Sequence, residues 1–183
     1  MAASKDLQQQ TTSTDEDDEE KGVSEKVQEI LDKSKGAVNW LFNDQQLSDA
    51  DLKLIADELK TDQKCERLDL QRCNLYPADA SELAEMLKVN KTLKQLWLSH
   101  NYIQDKGFLA ICEALREGGN KSLETLDLTG NHIKGKKVGI IEEMIQTNLS
   151  LTHLYLWGNP ITEENRERLR NAGEERTPKL YMQ

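Results

Sequence analysis

The sequence predicts an α/β solenoid, a short horseshoe arc with a parallel β-sheet on its concave face and α-helices on its convex face. About five units and a helical N-terminal cap are expected. Three observations predict this fold. A short apolar pattern recurs at a nearly fixed interval, each copy passes from a period of two to one near 3.6, and the last copy loses apolar residues as an end unit should.

The pattern reads apolar, any, apolar, two spacers, Asn or Cys, any, apolar. It appears as Leu68-Asp69-Leu70 with Cys73 and Leu75, and as Leu96-Trp97-Leu98 with Asn101 and Ile103. It returns as Leu126-Asp127-Leu128 with Asn131 and Ile133, and as Leu154-Tyr155-Leu156 with Asn159 and Ile161. A degenerate copy, Trp40-Leu41-Phe42 with Gln45 and Leu47, lies upstream, and the five first positions are 28, 28, 30 and 28 residues apart.

Each copy is followed by apolar residues at helical intervals: Leu52, Ile55 and Leu59; Ala80, Leu83 and Leu87; Phe108, Ile111 and Leu115; Val138, Ile141 and Ile145. A unit is therefore a short strand, a turn and an amphipathic helix, with units starting near residues 37, 65, 93, 123 and 151. Ser48 with Asp51, and Thr162 with Glu163 and Glu164, read as helix starts, and Gly173 reads as the stop of the last helix. In that last unit Arg166 takes an apolar slot and only Leu169 is retained.

The ends differ from the repeats. Val23, Val27, Ile30 and Leu31 form one stripe on an expected cap helix over residues 24–34, so the repeat domain is drawn as 23–173. Residues 1–22 hold seven acids against two lysines, which places −5 of the net −9 in a segment too polar to order itself. There Thr12, Ser13 and Thr14 each have an acid three residues downstream and are candidate phosphorylation sites. Residues 174–183 are taken as a C-terminal tail, for which folding back over the last unit and hanging free are both open.

The order L-x-x-L-x-L-x-x-N/C-x-L with a full helix at this spacing resembles the ribonuclease-inhibitor subclass of leucine-rich repeats, also found in NOD-like receptors and Ran GTPase-activating proteins. The resemblance covers about residues 37–173. Within it, Leu83 to Lys94, LAEMLKVNKTLK, is also similar to the tropomodulin and leiomodin repeat domain. The resemblance implies a leucine-rich-repeat solenoid that binds a protein without catalysis. Actin-filament binding of the tropomodulin kind and GTPase regulation of the Ran-activator kind are the alternatives it brings.

Several function classes lose support directly. A nucleic-acid partner is not expected of a chain with net charge −9 and an acidic N-terminal run. No apolar run is long enough to span a bilayer and no signal segment is evident, so a cytoplasmic, alternatively nuclear, monomer without membrane insertion is expected. Cys65, Cys73 and Cys112 fill apolar or turn slots of the repeat, so neither a disulfide nor a metal site is indicated, and no cofactor is expected. Gly130 to Lys137 nearly spells a phosphate-binding loop, but Lys137 stands where the hydroxyl residue belongs, and the segment aligns with an ordinary repeat turn. The N-x-S/T sequences at Asn90, Asn120 and Asn148 follow the repeat phase and are expected to carry no glycan.

Two residue sets remain. Cys73, Asn101, Asn131 and Asn159 are expected to form a structural ladder in the turns leaving the strands, satisfying backbone groups there. Strand residues between the buried leucines point to the concave face, where Trp97, Tyr155 and Trp157 supply large contact area and Arg67, Asp69, Asp127 and His153 supply charge selection. These seven are the candidate protein-binding residues. The competing reading of Trp97 and Trp157 is that they cover neighbouring strands or pack on the C-terminal tail.

Overall fold

The computed structural model describes residues 22–174 and 179–182. After helix α1, Glu25–Ser34, strands and helices alternate as β1 Asn39–Leu41, α2 Asp49–Thr61, β2 Arg67–Asp69, α3 Pro77–Val89, β3 Gln95–Trp97 and α4 Gln104–Leu115. They continue as β4 Thr125–Asp127, α5 Val138–Thr147, β5 His153–Tyr155, α6 Glu163–Glu174 and β6 Lys179–Tyr181. The six strands form one parallel sheet in the order β1-β2-β3-β4-β5-β6. This is the expected leucine-rich-repeat solenoid, with one strand more than the five units read from the repeat.

Register follows the leucines. Trp40, Leu68, Leu96, Leu126, Leu154 and Leu180 stand opposite one another across the whole sheet. The first five are fully buried against the helix stripe of Leu52, Ile55, Leu59, Leu83, Leu87, Phe108, Ile111, Leu115, Ile141 and Ile145, giving one continuous core. Burying each such side chain contributes roughly 1.5–3 kcal/mol, which is why a unit holds only beside its neighbours. Cys65, Cys73 and Cys112 are free thiols inside this core.

The turn ladder works as a relay between units. Asn101 Nδ2 donates to the carbonyls of Leu70 (2.8 Å) and Leu98 (2.9 Å), and its Oδ1 accepts from the Cys73 and Leu75 N–H groups, both at 3.0 Å. Asn159 repeats the arrangement two units later with Leu128, Leu156, Asn131 and Ile133. Asn131 donates to Leu98 and accepts from Ile103 N–H. Cys73 holds the same place with weaker contacts, its Sγ placed to donate to the Phe42 carbonyl at 3.1 Å or the Gln71 carbonyl at 3.4 Å.

A second ladder, not anticipated, joins the other ends of the units. Asn90, Asn120 and Asn148 each follow a helix and donate to a last-turn carbonyl of the preceding helix, Leu59, Leu87 or Leu115, at 2.7, 2.8 and 2.6 Å. Their Oδ1 atoms accept from the N–H groups of Leu93, Leu123 and Leu151, which opens the next strand. Helix carbonyls left without intrahelical partners are thereby satisfied. All three side chains are buried, so the N-x-S/T triplets are structural, and each carboxamide nitrogen is engaged.

Helix starts behave as expected at Ser48, which forms a capping box with Asp51, and at Thr162, whose hydroxyl accepts from Asn165 N–H. The cap helix is present, with Val27 and Leu31 buried and Ile30 half-buried. Val23 leaves the expected stripe: it precedes the Ser24 N-cap and is 41% exposed. Asp51 ties the cap on, since its second oxygen accepts the Ser24 N–H at 2.7 Å.

One further expectation is corrected: helix α6 runs through Gly173 to Glu174, so Gly173 does not stop it. Of the two courses open to the C-terminal tail, the described residues 179–181 take the one that folds back on the last unit, as β6, which pairs Leu180 with Leu154. Thr12, Ser13 and Thr14 and the acidic run lie outside the described residues. Among the described residues no helix is long and apolar enough to cross a membrane.

Candidate functional site: the concave aromatic row

Each strand places its first and third residues on the concave side and its second in the core, as the exposed-buried-exposed pattern of β1 and the half-exposed pattern of β3 and β5 show. Register then decides which concave residues meet. Leu41, Asp69, Trp97, Asp127, Tyr155 and Tyr181 form one row, and Asn39, Arg67, Gln95, Thr125, His153 and Lys179 the other.

The aromatic members gather toward the C-terminal half. Tyr155 and Tyr181 stack with centroids 4.5 Å apart and planes 15° from parallel. Trp97 stacks on Tyr155 at 6.4 Å, reaching over β4 between them. His153 lies nearly parallel to Tyr181 at 6.1 Å and to Tyr155 at 6.3 Å. Trp157, just past β5, stands edge-on to this platform at 6.2 Å from Tyr155 and 5.9 Å from Tyr181, and remains 42% exposed. The result is a flat aromatic floor with one upright wall.

Charge is organised around that floor. Arg67 extends its guanidinium over the Trp97 ring, 4.8 Å from the centroid, and donates to Asp69 Oδ2 at 2.9 Å. Gln71 also donates to Asp69 and accepts from Ser99 at 2.6 Å, linking β2 to the exit of β3. Burial between Trp97 and Tyr155 explains why Asp127, although on the concave row, is only 8% exposed. Asp127 Oδ1 accepts from Thr129 N–H. Burial, then the nearby Tyr181 and Asp127, push the Tyr155 phenol above its ordinary pKa, so it remains a neutral donor at physiological pH.

The structure thus brings six of the seven candidate residues into one connected surface, with Asp127 beneath the rings. Trp157 is exposed and Arg67, Trp97, Tyr155 and His153 are partly exposed in place, whereas Asp69, like Asp127, is recessed and acts on Arg67 and Gln71. Trp157 also packs against the C-terminal strand through Tyr181, as the competing reading anticipated, and still presents open surface. Tyr181 was missed. Its signal is Leu180-Tyr181-Met182, the apolar-any-apolar order 26 residues after Leu154.

The near-match to a phosphate-binding loop resolves locally. The N–H groups of Lys134, Gly135 and Lys136 converge on Asp105 Oδ1 at 2.9–3.0 Å, so the chain's own carboxylate occupies the turn. Among the described residues no group of three or more His, Cys, Asp or Glu is placed to hold a metal ion.

Comparison with known proteins agrees with this architecture. The family descriptions "Leucine Rich repeat" and "Leucine Rich Repeat" match residues 89–112 and 119–136, and residues 150–172, respectively. Ribonuclease inhibitor of Mus musculus is 31% identical over 121 residues, covering 66% of this chain and 26% of that protein. NACHT, LRR and PYD domains-containing protein 3 of Bos taurus is 32% identical over 95 residues, 52% of this chain and 9% of that protein. The chain therefore spans about a quarter or less of these relatives. Among solved structures, leiomodin-1 actin-binding site 2 superposes with a TM-score of 0.68 at 24% identity, over 80% of this chain and 84% of that one. A tropomodulin C-terminal domain from Caenorhabditis elegans gives 0.65 at 14% identity, over 81% and 91%. The chain carries leucine-rich repeats, related in sequence to those of ribonuclease inhibitor and stacked in the solenoid that leiomodin and tropomodulin repeat domains also adopt.

Proposed function

We propose that the chain is a non-catalytic module that binds a partner protein through its concave face, with Trp97, Tyr155, Trp157 and Tyr181 at the centre. The observation carrying this reading is the aromatic floor and upright Trp157, which the leucine core does not need and which stay open to solvent. Aromatic side chains of this size bring large contact area at low entropic cost and dominate binding energies where they cluster. Arg67, held by Asp69 against Trp97, and His153 flank the floor and select the partner's charge and register. The cysteines, all free and buried, are consistent with a reducing, cytoplasmic setting.

Actin is the second reading, favoured by the superposition on a structure titled as an actin-binding site of leiomodin-1. The two are separated by one set of variants. Trp97→Ala and Trp157→Ala are each expected to weaken the captured partner by about 2 kcal/mol, roughly thirtyfold, while the thermal melt stays unchanged. Co-sedimentation with actin filaments that survives both substitutions would reject the concave face as the actin contact. Partner binding that survives both would reject the concave site altogether.

A further inference from the structure

The turns leaving the strands form a second surface that neither the core nor the concave row explains. Tyr76, Tyr102 and His132, from three successive units, stack in a ridge with centroid separations of 5.4 and 5.5 Å and planes 16° and 3° from parallel. They are exposed, Tyr76 by 49% and Tyr102 by 42%. Aromatic rings stacked in solvent across three units present a continuous apolar strip.

Beside the ridge lies a concentration of unpaired positive charge. Lys134, Lys136 and Lys137 occupy the turn just after His132, and that turn is pinned to the start of α4 because Asp105 Oδ1 accepts from Lys134, Gly135 and Lys136 N–H. Asp105 neighbours Lys106, so four lysines share one small area. All four side chains are exposed, and none forms an ion pair with a described residue. Asp105 contributes one negative charge, but its Oδ1 is turned onto three backbone donors. The opposite edge of the sheet is different. There a groove lined by Lys64, Lys91, Lys94 and Lys121 also contains Glu66 and Glu124, and Lys94 pairs with Glu66 at 3.0 Å.

We propose that this turn edge is a second docking surface, separate from the concave face, for an acidic Asp/Glu-rich segment of a partner protein. The lysines select the negative charge, and the Tyr76-Tyr102-His132 ridge packs against the segment's side-chain stems and peptide planes. A protein segment matches the surface better than a nucleic acid does. Four lysines in one unit-wide cluster neutralise few phosphates of a long polyanion, whereas they match the charge of a short acidic segment.

The full-length chain tests this by fluorescence anisotropy with a labelled ten-residue peptide of alternating Glu and Asp around a central Leu. Binding is expected to weaken at least tenfold in the triple variant Lys134→Glu, Lys136→Glu, Lys137→Glu, and severalfold in Tyr102→Ala. It is expected to weaken as salt rises and to be unaffected in Trp157→Ala. The lysine side chains make no hydrogen bond within the described fold, and the milder triple Lys→Gln variant with an unchanged melt serves as the folding control. Equal binding by the wild type and the triple variants would overturn the proposal, as would absence of binding at low salt. Tighter binding of a single-stranded oligonucleotide or of vesicles with 30% phosphatidylserine would replace the acidic peptide as the occupant and likewise overturn it. Binding that emerges only when Asp15 to Glu20 are neutralised to Asn and Gln in the full chain would assign the surface to the chain's own acidic run instead.

Discussion

Replacing Asn101 by Ala removes a side chain that is 1% exposed and whose four shortest hydrogen bonds, at 2.8–3.0 Å, serve backbone groups in two units. One of the four keeps a partner, because the Leu98 carbonyl also accepts from Asn131 Nδ2 at 2.8 Å. The other three, Cys73 N–H, Leu75 N–H and the Leu70 carbonyl, lose the contact this carboxamide supplies inside a dry turn. At about 1–3 kcal/mol for each buried group left without a partner, with water entry relieving part, the expected loss is about 3–5 kcal/mol. Urea denaturation followed by circular dichroism reads this as a lower midpoint with an unchanged slope. Asn43→Ala, on the exposed rim of the first unit, is the control and should stay within about 0.5 kcal/mol. A loss below about 1 kcal/mol at Asn101 would refute the relay, since it would mean that the turn satisfies itself without the ladder.

Three further outcomes follow from the same structure. Burial alone would raise the Asp51 carboxyl, but the hydrogen bonds from Ser48 and Ser24 outweigh it and hold the group below its ordinary pKa. Its stabilisation is therefore present above the unfolded carboxylate pKa and lost as pH falls through the lowered value. Asp51→Asn should flatten that acid limb in denaturation curves between pH 2 and 6, and an unchanged limb would remove Asp51 as its source. Burial pushes the Cys65 and Cys73 thiols up to about 12 and Cys112 higher still, so iodoacetamide at neutral pH should leave all three unmodified until urea unfolds the chain. Labelling of any of them in the native protein contradicts the packed core. Leu180→Asp should detach β6, destabilise the chain by roughly 1–3 kcal/mol and expose the Leu156 amide, which donates to the Tyr181 carbonyl at 2.8 Å, to hydrogen exchange. Retained protection at Leu156 would show that the last strand is dispensable.

Much of the fold was legible because one period carries it. The leucine interval sets the register, alternation within each strand names the concave row, and the asparagine after each strand can reach only the turn. What the sequence hid depends on neighbours more than on period. Alternation places Asp69 and Asp127 on the concave side but says nothing of depth, which is set by Arg67 and by the rings that close over β4. Asn90, Asn120 and Asn148 shared their phase with the repeat, yet their bond to the previous helix end appears only once two units are stacked. The sixth strand follows a shorter interval than the others, so Tyr181 joins the aromatic floor outside the regular repeat phase. Tyr76 and Tyr102 occupy different places in their units, and their stacking is a product of the turn geometry.

Recognition by the concave wall is tested most directly by site-specific photo-crosslinking in the native cell. A photoreactive phenylalanine at position 97 or 157 should give one discrete adduct that a second substitution, Tyr181→Ala, diminishes, while the same probe at Glu85 on the convex helix α3 should give none. Adducts that form at position 85 and not at 97 or 157 would contradict the concave site.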